Sequence, residues 1–210
     1  MSNIYAPTDP KALHAKIVSL LGINVANLQL HRDFLYNNSD VIANHFDMRQ
    51  FCQFSDDLDD QFGGQGLDEV DIVKELGLDI DCGSSMCVVG WAPSNPALKE
   101  QINALTNDYG DRWLNIASLF IDRDRDVGLF DYVFGQHWSD DLGTAIERIE
   151  IVVEAATDAS YDNAALLAAL ANSDDRQHDR SISLPDYLEE QMDHEWIESV
   201  VTDVPAYDGY

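Results

Sequence analysis

The chain has 210 residues, 45% of them hydrophobic, and carries a formal net charge of −27 from 39 acids against 12 bases. The hydrophobic fraction excludes a disordered acidic tail and suffices for one well-cored domain. The charge excludes direct binding to nucleic acid, whose phosphates it repels, and three cysteines, an odd number, speak against a secreted disulfide framework.

Met1–Pro7 lacks the basic and apolar regions of a signal peptide. No run is apolar enough for a membrane span, so a cytosolic protein without membrane association is expected. Pro10, at the first helical position, opens a helix whose apolar stripe, Leu13, Ile17, Leu20 and Leu21, stops at Gly22. Asn24 caps a second helix running to about Tyr36, and Asn37–Asp40 is a turn. Val41–Phe54 is apolar enough to be buried and is expected as helix. Asp56–Gly66 reads as an acidic, glycine-rich loop, and Asp68–Leu76 as a short helix ending at Gly77.

The stretch Cys82–Ala92 is the chain's most distinctive: two cysteines, two glycines (Gly83 and Gly90) and Trp91, closed by Pro93. It reads as a loop feeding a short buried helix. Ser84 or Ser85 is placed to cap the first turn, and Met86, Val88, Val89 and Trp91 are too apolar for water. Cys82 and Cys87 have three readings: a redox pair or nucleophile, two zinc ligands, or packing. A helix N-terminus favours a thiolate, but Asp81 is adjacent and no base is placed by the sequence. Zinc wants four ligands, and Cys52 and His45 could complete a set, but C-x4-C is a weak zinc spacing. Packing is the expectation, with Cys82, Gly83, Ser84, Cys87, Gly90 and Trp91 as a structural motif.

Asn95-Pro96 opens a helix with Leu98, Ile102 and Leu105 on one face, and Asp111–Ile121 forms another, with Trp113, Leu114, Ala117 and Phe120 inward. The aromatic stretch Leu129–Trp138 reads as a short strand or a packed loop. Asp141–Ala156 is the clearest helix, with Leu142, Ile146, Ile149, Val152, Val153 and Ala156 at helical spacing. Tyr161–Ala171 and Pro185–Val201 are two more, and a frayed tail follows Thr202. The expected fold is mostly α, a single globular domain of about eight helices. Residues 1–157 form its core, and an acidic helical segment, 158–210, packs on it.

The motif carries a resemblance. Cys82-Gly83-Ser84-Ser85-Met86-Cys87-Val88-Val89-Gly90-Trp91-Ala92, preceded by Phe46-Asp47-Met48, resembles small phage and prophage proteins with F-x-M, a spacer, then C-G-T-x-x-C-x-x-G-[HW]-A. Leu129–Trp138 and Ala145-Ile146-Glu147-Arg148-Ile149 are similar to a later aromatic segment and A-x-x-R-I helix of those proteins. Ser84 stands where Thr is usual, keeping the hydroxyl, and Asp56–Gly66 is an added spacer. The resemblance implies phage origin and no particular activity.

Enzyme motifs are absent: no G-x-S-x-G, P-loop, H-E-x-x-H or dinucleotide fingerprint occurs. Asp122-Arg123-Asp124-Arg125-Asp126-Val127-Gly128 resembles half a calcium loop. Its Gly falls one place late, Val133 holds the position of the bidentate glutamate, and the arginines supply counterions. Asp56-Asp57-Leu58-Asp59-Asp60 could hold a divalent metal, but reads better as a solvated charge run. No catalytic residue, metal or cofactor is expected.

Residues 1–50 balance four acids with four bases, whereas 51–100, 101–150 and 151–210 carry −9, −6 and −12. Self-repulsion at this density costs stability, which asks for a use or an unusual solvent. The first reading is a phage-encoded nucleic-acid mimic that occupies the nucleic-acid channel of a host DNA- or RNA-binding or defence protein. Its candidate contacts are Asp56, Asp57, Asp59 and Asp60, then Asp122, Asp124, Asp126, Asp140 and Asp141. Asp174, Asp175, Glu189, Glu190, Asp193, Glu195 and Glu198 complete the set. The alternatives are salt adaptation of a protein with an unrelated function, for which 29 Asp against 10 Glu and four Lys also fit, and an enzyme using Cys82 or Cys87. A homodimer is left open.

Overall fold

Helix α1, Pro10–Leu20, begins at the expected proline and ends before Gly22, whose φ of 65° turns the chain. In the computed structural model, residues 10–48, 51–55, 62, 68–79, 84–105, 112–122, 127–135 and 141–172 are described. The Asn24 side chain caps α2, Val25–Asn37, by accepting from the Asn27 amide at 3.1 Å. A bridge between Ile23 and Ile121 fastens this α1–α2 turn to the later chain, with Asn24 N donating to Phe120 O at 2.8 Å.

Val41–Phe54 is not one helix. A short helix α3, Ser39–Ile42, and one 3-10 turn, Ala43–His45, give way to extended backbone at Phe46 and a two-residue strand β1, Cys52–Gln53. The cause is distant in sequence. Strand β2, Ser85–Met86, pairs antiparallel with β1, and Asp47 N donates to Met86 O at 3.1 Å. That pairing gives the backbone groups partners that a local helix would otherwise supply.

Helix α4, Glu69–Leu76, follows its expected bounds, with Asp68 accepting from the Asp71 amide and Gly77 past its end. Ser94, in the 3-10 turn Ala92–Ser94, donates to the Gly77 carbonyl at 2.7 Å, a partner for the end of α4. Helices α5, Lys99–Ala104, and α6, Arg112–Ala117, are shorter than the sequence suggests. Where a strand or loop was expected near 129–138, the described residues form helix α7, Val127–Phe134. Its aromatic and β-branched composition misleads. Leu129, Phe130, Tyr132, Val133 and Phe134 are all buried, so the helix is covered on most sides and shows no amphipathic period that the sequence could report. Helix α8, Leu142–Thr157, and helix α9, Tyr161–Asn172, are the last among the described residues.

The fold is mostly α, with α2 lying on α8, α1 on α9, and α9 also against α7 and α8. One core joins Leu28 and Leu35 of α2, Ile149 and Val152 of α8, Leu167 and Leu170 of α9, and Trp91 and Phe120 between them. Thus α9, in the stretch beyond residue 157, buries its apolar side among the earlier helices; the expected helix Pro185–Val201 lies outside the described residues. Among the described residues no helix is long and apolar enough to cross a membrane.

Gly128 marks a close approach of α7 to α9. A Cβ there would overlap the Ala171 carbonyl oxygen, which is backbone and cannot rotate away. The glycine that looked like part of a calcium half-loop thus serves the contact of α7 with α9. Gly128→Ala should lower unfolding free energy by about 2 kcal/mol in urea titrations, because overpacking outweighs alanine's better helix propensity. A neutral or stabilising result would mean the two helices have room to part.

Candidate functional site

The motif is a hub of backbone contacts rather than a helix start. Ser85–Met86 is strand β2, a turn follows in which Trp91 N donates to Cys87 O at 3.2 Å, and then comes the 3-10 turn. Neither serine caps a helix. Ser84 Oγ accepts from Ser55 N at 2.9 Å, and Ser84 O accepts from His45 Nδ1 at 3.0 Å. Strand β1, more than thirty residues upstream, decides this, and no local pattern reports it. Gly90 is required because a Cβ would overlap the Phe51 carbonyl and come within 2.9 Å of Met86 Cβ. Cys82 and Gly83 lie outside the described residues.

Cys87 is a buried thiol, and burial pushes its pKa up to about 11, a rise that the Gly90 and Val89 amides only partly offset. At neutral pH it stays protonated, and a protonated thiol is neither a good nucleophile nor a metal ligand. Among the described residues no three His, Cys, Asp or Glu side chains group as a metal site.

The residue that the sequence did not single out is His31. It sits on α2, fully buried, stacked on Phe120 at 5.1 Å between ring centroids, and its Nε2 donates to Val88 O at 2.7 Å. Burial pushes its pKa down to about 4, so the ring is neutral, with its lone pair at Nδ1. That nitrogen has no hydrogen-bond partner among the described residues, and neither has the buried Trp91 Nε1. Two further polar contacts hold α2 to the same segment. Asn95 Nδ2 donates to Leu30 O at 3.2 Å, and Asn27 and Gln101 exchange side-chain hydrogen bonds at 2.8 and 2.9 Å.

Of the sixteen acids singled out by the sequence, only Asp122 and Asp141 fall among the described residues. Asp56, Asp57, Asp59, Asp60, Asp124, Asp126, Asp140, Asp174, Asp175, Glu189, Glu190, Asp193, Glu195 and Glu198 lie outside them. The two that are described are not neighbours. Asp141 is exposed and caps α8, accepting from the Thr144 amide at 2.9 Å, a bond that lowers its pKa. Asp122 is half-buried in a groove that Thr157, the last residue of α8, also lines. The 16 residues of α8 therefore separate them by about 24 Å.

The fold instead orders acids that were passed over. Glu147, Glu150 and Glu154 of α8 and Asp158, its C-cap, are all exposed and follow one another at three, four and four residues. That spacing places them in one row, with rises of about 4.5, 6 and 6 Å. Arg148, the base of α8, is engaged elsewhere, donating to Tyr132 O at 2.8 Å and lying over that ring. Among the described residues the row's ion pair is Glu150 with Arg32 at 4.0 Å, and Arg32 also binds Asp33 at 2.8 Å. The signal was in the sequence: the spacing that reveals the apolar stripe of α8 reveals the acidic one on the other side.

A second acid cluster is structural. Arg112 binds both Asp68 and Asp71, Lys74 reaches Asp71 at 2.6 Å, and the Trp113 indole donates to Glu69 at 2.9 Å. The Arg112 hydrogen bond holds the Asp71 carboxyl down at about 2.

No family model, no curated protein and no solved structure matches this chain.

Gly90→Ala should cost about 3 kcal/mol in denaturant unfolding, at the upper end for overpacking, since the obstructing atoms are mainly backbone. A cost below 1 kcal/mol, on the same scale of overpacking penalties, would show that β1 can move aside. His31 gives a pH signature. Its folded pKa of about 4 lies below the ordinary 6.5, so between these values the unfolded chain binds the proton first. Its contribution is complete above pH 6.5 and is lost as pH falls towards 4, by up to roughly 3 kcal/mol. His31→Gln, which can still donate to Val88 O, should remove that component when stability is measured across this range. Parallel profiles for the two proteins would contradict it.

Proposed function

We propose that this is an acidic binding protein that mimics nucleic acid, occupying the phosphate-binding channel of a host DNA- or RNA-binding or defence protein. The observation that carries the reading is the row Glu147, Glu150, Glu154 and Asp158 along the exposed side of α8. Like charges at these spacings cost a helix roughly 0.2–0.5 kcal/mol per pair. Acids in the last turn also oppose the helix dipole, and α8 has no base there. A row that weakens its own helix has a use outside it. The carboxylates stand on a rigid element whose opposite side is buried with Ile149, Val152 and Val153, so binding orders few side chains and no backbone. Their steps of about 4.5–6 Å compare with the 3.4 Å axial rise between phosphates of one DNA strand, so the row is sparser than a strand of duplex. It fits a basic groove that reads charge rather than bases.

The motif's likeness to phage proteins supports a phage-encoded inhibitor acting in the host cytoplasm. The second reading, salt adaptation, is favoured by the exposed acids that also stand on α2, α3, α4 and α5, at Asp33, Asp40, Glu75 and Glu100.

Host proteins captured on the immobilised chain should be released by added duplex DNA or RNA. The variant Glu147→Gln, Glu150→Gln, Glu154→Gln, Asp158→Asn should bind them about ten- to hundredfold more weakly, the effect of several partly screened pairs worth up to about 1 kcal/mol each. Capture that survives both nucleic acid and neutralisation would overturn the mimic. Salt adaptation would be supported instead if the variant bound normally but lost the stabilisation that salt gives the native protein.

A further inference from the structure

We propose that the α8 row and the outward ridge of α2, Leu30 to Tyr36, form one docking surface for a protein that binds single-stranded nucleic acid. This rests on the mimic reading of the row and names the kind of strand that is imitated. Helix α2 buries Asn27, Leu28, His31 and Leu35, which leaves Leu30, Asp33 and Tyr36 outward at three-residue spacing, along one ridge of the helix surface. Leu30 is 42% exposed and Tyr36 69%.

Singly exposed apolar side chains are ordinary; what sets these two apart is their position. Asp33 between them is paired with Arg32 at 2.8 Å, so the ridge's own acid is engaged, and an aromatic ring and an aliphatic side chain stand on either side of it. The same Arg32 guanidinium reaches Glu150 of the row at 4.0 Å. Tyr36 follows Arg32 by four residues, which makes them neighbours on the helix surface. The two helices therefore offer one continuous surface, with carboxylates along α8, apolar side chains along α2 and Arg32 at the seam.

A nucleic-acid strand has the same plan, with phosphates in a line and bases to one side. A duplex-binding groove meets phosphates and base edges, because the base faces are stacked inside. A channel for single strands combines basic side chains along the backbone with aromatic side chains on which bases stack, whatever their sequence. The Tyr36 ring offers the face that such a platform takes, with few rotatable bonds to fix. The spacing of the charges agrees. The row steps by about 4.5–6 Å, wider than the roughly 3.4 Å of a duplex strand, and a single strand carries its charge less densely than a duplex. Charge complementarity makes the partner's channel basic, and Tyr36 calls for an apolar stacking site within it.

The full chain is tested as a competitor against two purified probes at physiological ionic strength. One is an OB-fold single-strand-binding protein holding fluorescent oligo-dT, the other a helix-turn-helix protein holding its fluorescent duplex operator. The chain should displace oligo-dT at a concentration at least about tenfold lower than it needs for the duplex. Tyr36→Ala should raise that concentration about tenfold, the loss of one stacked ring, and Leu30→Ser about threefold. Tyr36→Phe, which keeps the ring, should stay within about twofold of the native chain, and reports on the site even where Tyr36→Ala lowers stability. The Tyr36→Ala loss should persist in high salt, where the loss from neutralising the row shrinks, because stacking is not screened. Displacement of oligo-dT by Tyr36→Ala as readily as by the native chain overturns the joint surface and leaves the row's mimicry standing. Equal displacement of duplex and oligo-dT overturns the single-strand assignment, again without touching the mimicry. If neither probe is displaced the proposal falls, whereas the mimic reading falls only when neutralising the row also leaves capture of host proteins unchanged.

Discussion

The hydrogen bond from His31 Nε2 to the Val88 carbonyl is the constraint on which much of the fold depends. It joins α2, which lies on α8, to the motif that carries β2, across 57 residues of chain. A buried carbonyl must find a donor, and the donor here is an imidazole held neutral by its own burial. From that bond the rest follows outward. Val88 in place sets Gly90 against Phe51, which brings β1 beside β2 and pulls Phe46–Met48 out of helix. The other α2 contacts, through Asn27 and Leu30, repeat the theme of a helix fastened to irregular backbone by side chains. Breaking one leaves an unsatisfied buried group, which costs more than the bond itself contributes.

Charge is distributed with the same division of labour. Acids near Arg112 close a local network and hold α4 against α6. Acids on α8 do the opposite, standing in an exposed row whose ion pair among the described residues is Glu150 with Arg32. The same helix buries seven residues on its inner side, so its packing tolerates the repulsion on the outer one. Hydrophobic burial at about 25 cal/mol per Å² exceeds the few tenths of a kcal/mol that each exposed like-charge pair removes. The arrangement keeps an unfavourable surface on a stable support.

How much of this was legible depended on whether the cause was local. Pro10, Asn24, Asp68, Gly77 and Asp141 mark helix boundaries because capping uses neighbours within four residues, and each performs that role. The apolar period of α8 was equally readable. Strand β1, the strand in the motif and helix α7 were misread, because their backbone conformation answers to partners more than thirty residues away. The candidate acids were chosen as runs along the chain, and runs of aspartate favour loops. The row on α8 was missed because its members are dispersed in sequence and adjoin only once wound into a helix.

By itself, then, the sequence determined that this is a mostly helical, strongly acidic protein, where the helix α8 begins and ends, and that Met86, Val88, Val89 and Trp91 are buried. Composition, capping and periodicity act within a few residues, so one strand of text contains them. The tertiary structure alone decided that Cys87 is a buried thiol with a raised pKa, that His31 of α2 is fastened to the motif at Val88, and that β1 pairs with β2. Those properties depend on burial and on which distant carbonyls converge, and both arise only when the chain has closed on itself.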